Sequence, residues 1–147
     1  MLDTVPSELA ELSDVTATIK PSPVKWSPKE ELGHLLDSAA NNHQRIVRTL
    51  LEDQPVMPGY EQRRWVQAHV YQQRDWRELV DTWTALNRQL LVVAAWAADS
   101  DWTRTCTIAG SEPVTLRFVL TDYVAHMAHH LAHIKEARQS QRPTTND

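Results

Sequence analysis

The sequence predicts an all-α protein, a bundle of four long helices preceded by a short extra one. Three observations predict it. The run from Val114 to Arg142 contains neither glycine nor proline. Trp26-Ser-Pro-Lys-Glu30 reads as a helix start, and the apolar positions after it recur at alternating spacings of four and three. A third amphipathic stripe, from about Trp76 to Ala98, is set off by polar breaks containing Pro, Gly and Thr.

The chain has 147 residues, enough for one domain to bury its own core. We read residues 1–139 as that domain and 140–147 as a polar, disordered tail. A net charge of −4 argues against nucleic acid as a partner, because phosphate binding needs a concentrated basic face and Arg63-Arg64 does not make one. One cysteine, Cys106, allows no intrachain disulfide, and no base stands beside it in sequence to make it a nucleophile. No leader and no apolar run of membrane-spanning length is visible, so the expectation is a cytoplasmic protein without a membrane partner.

Within residues 1–20, Leu9, Leu12 and Val15 form a short apolar pattern after Pro-Ser-Glu, which predicts a small helix packed on the body. Pro21-Ser-Pro23 ends it. Ser27 as N-cap, Pro28 in the first helical position and Glu30 three residues after the serine make a capping box. The helix it opens runs to about Glu52, with Leu32, Leu36, Ala39, His43, Ile46 and Leu50 as its inner seam. His34 falls on another face and reads as structural. After the break at Gln54–Gly59, a second helix is expected over Tyr60–Gln73. The third, from Trp76 to Ala98, turns Leu79, Val80, Trp83, Leu86, Leu90 and Ala94 inward, with Asn87 on the same stripe. Trp102–Ile108 alternates enough to suggest an extended stretch. The last helix starts near Val114.

Four of the seven histidines lie in that last helix, at His126, His129, His130 and His133. His126 and His130 are one turn apart on the same face, which lets two imidazoles reach one metal ion. His130 lies inside the apolar seam of Leu116, Leu120, Tyr123, Met127, Leu131 and Ile134, while His129 points largely away from it. A histidine on an apolar face is more often a hydrogen-bonded core residue than a ligand. The residues alone leave both readings open, and a third ligand must come from elsewhere in the chain.

Three segments occur in order: Trp26-Ser-Pro-Lys-Glu-Glu-Leu-Gly-His-Leu-Leu-Asp-Ser38, Gly59-Tyr-Glu-Gln-Arg-Arg-Trp-Val66, and Thr115-Leu116 with Tyr123, His126, His129, His130 and His133. Together they resemble the DinB superfamily, specifically its DinB/YfiT-like metal-dependent hydrolases. The resemblance implies a four-helix bundle with up-down-down-up connection, often dimeric, with three histidines around a divalent ion, nickel or zinc, beside an open cleft. It carries the paired ligands over to His126 and His130. Where the YfiT-like branch has histidine directly after Asp-Ser, this chain has Ala39, and His43 follows one turn later, about 6 Å along the axis. His43 is therefore the expected third ligand, with Asp122 as an outside candidate.

An open three-histidine site suits Lewis-acid chemistry on water or on a thiolate. The resemblance thus implies a metal-dependent hydrolase or a small-thiol S-transferase acting on a small molecule, with a low-molecular-weight thiol as a further cofactor in the second case. Tyr60, Trp65, Asn87 and Tyr123 are the candidates to line the cleft, though each residue type serves more often as a core anchor. The competing expectation is a non-catalytic metal- or ligand-binding bundle whose site has degenerated because Ala39 stands in the ligand position.

Overall fold

The computed structural model describes residues 1–140; of the expected polar tail, residues 141–147 lie outside them. The architecture is mainly helical, in the order α1 (Val5–Ala10), α2 (Asp14–Thr18), α3 (Pro28–Leu51), β1 (Val56–Met57), α4 (Gln62–Ala68), α5 (Trp76–Trp96), β2 (Thr105–Ile108), β3 (Val114–Thr115) and α6 (Leu116–Ser140). Short 3-10 turns at Tyr71–Gln73 and Asp99–Thr103 precede α5 and β2. Among the described residues no helix is long and apolar enough to cross a membrane.

Helix α3 is the central rod, packed on both α5 and α6. Its start is the capping box. The Glu30 amide donates to Ser27 Oγ at 3.2 Å, and the Ser27 amide donates to Glu30 Oε2 at 2.9 Å. Every residue from Ser27 to Ala39 except Glu30 is buried. An ordinary surface helix hides one stripe, but this half of α3 is enclosed on all sides. Beyond Asn42 burial returns to a stripe that includes Ile46, Thr49 and Leu50.

The enclosure depends on Gly33. A Cβ there would stand 2.1 Å from Cδ2 of Tyr71, whose ring fills that space. The expected second helix over Tyr60–Gln73 is accordingly broken. Helix α4 stops at Ala68, His69 caps it, and Val70 adopts the left-handed conformation at φ +46°. That turn swings Tyr71 under α3, where its hydroxyl donates to Asp37 Oδ1 at 2.7 Å. Valine disfavours this backbone region, so the buried contact outweighs a local preference.

The N-terminal pattern folds as two short helices rather than one. Leu9, Leu12 and Ala17 are buried as an anchor, but Val15 faces solvent, because the chain restarts at an N-cap on Ser13 and rotates it outward. The indole of Trp76 donates to Leu9 O at 2.8 Å, and the Lys29 ammonium meets Asp14 Oδ1 at 2.7 Å. These links tie α1 and α2 to the start of α5 and to α3. Asp75 caps α5 by accepting from the Glu78 amide. Of the stretch Trp102–Ile108 expected to be extended, Thr105–Ile108 forms β2, while Trp102 and Thr103 belong to the 3-10 turn before it. Strand β2 is flanked by a parallel β1 and an antiparallel β3 in a small three-stranded sheet. Arg104, just before β2, donates to the carbonyls of Thr49 and Glu52 and so closes the C-terminal end of α3.

Candidate metal centre

Helices α3 and α6 face each other with polar groups where two packed helices ordinarily present leucines. From α3 come Glu31, His34 and Ser38, spaced by three and four so that they line one face. From α6 come His126, His130 and His133 by the same rule. His34 Nε2 stands 3.0 Å from His126 Nε2, and Ser38 Oγ 3.4 Å from His126 Nδ1. The ring centroids of His34, His126 and His130 lie 4.5–4.9 Å apart in pairs. One ring nitrogen from each of the three lies within 4.8 Å of the others.

Two nitrogens bound to one ion at about 2.1 Å are about 3.0 Å apart at a right angle and about 3.4 Å apart in a tetrahedron. The 3.0 Å between His34 and His126 fits that range without rearrangement. Protonation also fits. Burial pushes His34 down to about 3, helped by the neighbouring His130 and His126. Burial and His130 likewise lower His126, against an opposing pull from Asp122. Neutral imidazoles keep a lone pair for a ligand. His34 is fully enclosed, with Trp26 at 5.1 Å ring to ring, and its Nδ1 has no partner.

Beside this cluster opens a cleft of about 530 Å³, walled by Trp26, Glu31, Arg63, His130, His133 and Glu136 among others. Glu31 Oε2 is 2.6 Å from His130 Nδ1, and its other oxygen is 3.3 Å from His133 Nδ1. His130 therefore belongs both to the imidazole cluster and to the cleft wall.

The structure brings His126 and His130 together as the spacing on α6 predicts. It does not bring in His43. The third imidazole is His34, the residue read from sequence as structural. Nine residues separate the two, which is half a circle around α3 and about 13.5 Å along it. His43 therefore lies on the far side and further down the rod. Asp122 is exposed and acts on His126 only as a nearby charge. Of the four residues expected to line the cleft, none is among its walls. The Tyr123 hydroxyl donates to Asn87 Oδ1, both buried between α5 and α6. Tyr60 packs on Trp65 at 4.9 Å ring to ring.

The family model described as the DinB superfamily matches residues 2–134. The chain belongs to this family. It is 29% identical to YfiT of Bacillus subtilis (strain 168), over 92% of this chain and 79% of that one. It is 26% identical to a relative from Halalkalibacterium halodurans, over 92% of this chain and 81% of that one. Both relatives bear the name "putative metal-dependent hydrolase". The solved structure of B. subtilis YfiT superposes with a TM-score of 0.83 at 24% identity, covering 95% of this chain and 82% of that one. It is described as a probable metal-dependent hydrolase with an unusual four-helix bundle topology, and the likeness shows that this DinB protein shares its fold.

The depressed histidines set a pH dependence for the metal-free DinB protein. Between about 3 and the ordinary histidine value of 6.5, the unfolded chain binds a proton at residue 34 and the folded chain does not. Stability is thus fully present above about 6.5 and falls as the pH drops through that window, with His126 acting in the same direction. Urea melts of the chelator-treated protein at pH 7.5, 6 and 5 should show a descending midpoint. A flat profile would mean that residue 34 is not held neutral.

Proposed function

We propose that this DinB protein binds one divalent metal ion, nickel or zinc, through His34, His126 and His130, and that it is a metal-dependent hydrolase or a small-thiol S-transferase. The observation that carries the reading is the convergence of three imidazoles from α3 and α6 at the inner wall of an open cleft. Burial and the neighbouring imidazoles hold His34 and His126 below the ordinary histidine value, an arrangement with a cost and no packing advantage over leucine. A shared cation supplies the reason for it.

What the ion contributes when bound is Lewis acidity toward a group brought in through the cleft. The chain's own residues do the rest. Trp26 covers His34 and His130 and keeps bulk water from the enclosed side. Ser38 and the Asn42 amide, which donates to the Ser38 carbonyl at 2.9 Å, fix the α3 backbone opposite His126. The small-molecule substrate enters between Trp26, Arg63 and His133. Hydrolysis comes first because the named relatives share that description; S-transfer from a low-molecular-weight thiol is the second reaction of the same site. A homodimer and the up-down-down-up connection complete the reading, with Leu91, Val92 and Trp96 leaving apolar surface on the last turns of α5 for a second copy.

Elemental analysis after reconstitution with zinc or nickel tests the proposal. The wild type should hold close to one ion per chain, His126→Ala should hold almost none, and His43→Ala should match the wild type. A wild type that takes up no metal, or a His43→Ala protein that loses it, defeats the assignment. Screening ester and amide hydrolysis against small-thiol conjugation on the loaded protein then separates the two reactions.

A further inference from the structure

We infer that Glu31 is a positioning residue for the metal ligand His130, setting which of its ring nitrogens carries the proton. The inference rests on the metal-binding reading above and extends it to a residue that touches no ion. Glu31 is buried to 8% exposure on α3, one turn before His34. Its side chain meets no lysine or arginine among the described residues; its partners are His130 at 2.6 Å and His133 at 3.3 Å, one on each oxygen. A buried carboxylate without a cationic partner is costly, and here both of its oxygens are turned to imidazoles on α6.

The chemistry of the contact decides its role. A carboxylate only accepts hydrogen bonds, so the proton between Glu31 Oε2 and His130 sits on Nδ1. Nε2 of His130 is then left as the lone pair, on the ring edge opposite Glu31. That is the form a ligand must take, and a carboxylate behind it also raises the basicity of the ring. The alternative is that Glu31, His130 and His133 themselves hold an ion, since their donor atoms also lie within 4.8 Å of one another. The 2.6 Å separation argues against this. Two ligands of one ion at about 2.1 Å stand about 3.0 Å apart or more, whereas 2.6 Å is a short charge-assisted hydrogen bond.

Two measurements test this, one of which needs no metal. In the chelator-treated wild type at pH 8, nitrogen–proton correlation spectra of the imidazoles should show His130 as the Nδ1–H form. In Glu31→Ala that resonance pattern should move toward the Nε2–H form. Zinc affinity by chelator competition should fall about 10–100-fold in Glu31→Gln, a near-isosteric change that guards against misfolding, with unchanged circular dichroism. His133→Ala, which leaves the His130 contact intact, should bind within a few-fold of the wild type. An Nε2–H form of His130 in the wild type, or wild-type affinity in Glu31→Gln, overturns the inference. So does a second equivalent of zinc that disappears with Glu31, because the carboxylate would then be a ligand. If the wild type binds no zinc at all, the metal reading fails by itself, and the tautomer measurement still decides what Glu31 does.

Discussion

Gly33→Ala is expected to lower stability by about 4 kcal/mol. The added methyl would stand 2.1–2.6 Å from three ring carbons of Tyr71, well inside contact distance. The ring cannot simply slide, because it is buried and its hydroxyl is bonded to Asp37. Overpacking of this kind costs about 1–3 kcal/mol. Displacing the hydroxyl adds about 1–3 kcal/mol for a buried acceptor left without its donor. Asp37 is already under stress. Burial pushes its pKa up against the opposing effects of Tyr71 and His69, and its second oxygen has no partner. In a chain of this size the melting temperature should drop by about 10 °C. Tyr71→Phe, which keeps the ring and loses the hydroxyl, should show roughly the second part of the loss. A Gly33→Ala protein melting within two degrees or so of the wild type would mean that Tyr71 does not occupy that space.

His34→Leu is expected to abolish the stabilisation that metal confers while leaving the metal-free fold nearly unchanged. Leucine has about the volume of histidine and removes the ring nitrogen that now lies buried without a partner. Against this, His126 loses its neighbour at 3.0 Å but retains Ser38 and partial access to water. The two effects are of similar size, about 1 kcal/mol each, so the metal-free proteins should melt within a few degrees of each other. The loaded proteins should diverge. At a metal concentration about one hundred times the dissociation constant, binding adds about 2.7 kcal/mol to the wild type. The substituted protein should gain nothing. Thermal melts with and without added zinc measure both halves, and a metal-induced upshift that survives in His34→Leu would remove residue 34 from the ligand set.

The parts legible in sequence were those written by local rules. The start of α3 at Ser27 follows from side chains three residues apart, and the pairing of His126 with His130 from one helical turn. The strand β2 lies within the stretch that alternates in sequence. The third imidazole was missed because a single apolar seam was sought on α3. That seam is real where the rod is half covered, through Ile46 and Leu50, but from Ser27 to Ala39 the rod is covered on every side. A second seam runs there, through Glu31, His34 and Ser38, and it is polar. Its signal was the helical spacing of three polar residues matched by His126, His130 and His133 on the partner helix. The break at Val70 carried no such signal. Neither glycine nor proline marks it, and its cause is a tyrosine fitting against a glycine 38 positions earlier in the chain. The strands β1 and β3 are two residues each, too short for any periodicity.

The all-round enclosure of Ser27–Ala39 bears on how this protein can change over evolutionary time. The same thirteen positions form its mechanical keystone and carry Glu31, His34 and Ser38 of the polar face toward α6, so almost no replacement there can alter that face without also disturbing assembly. Variation in the cleft has to arise on the opposite bank, in the loop before Trp26 and on the exposed flank of α6, where a side chain can be exchanged and the scaffold left alone.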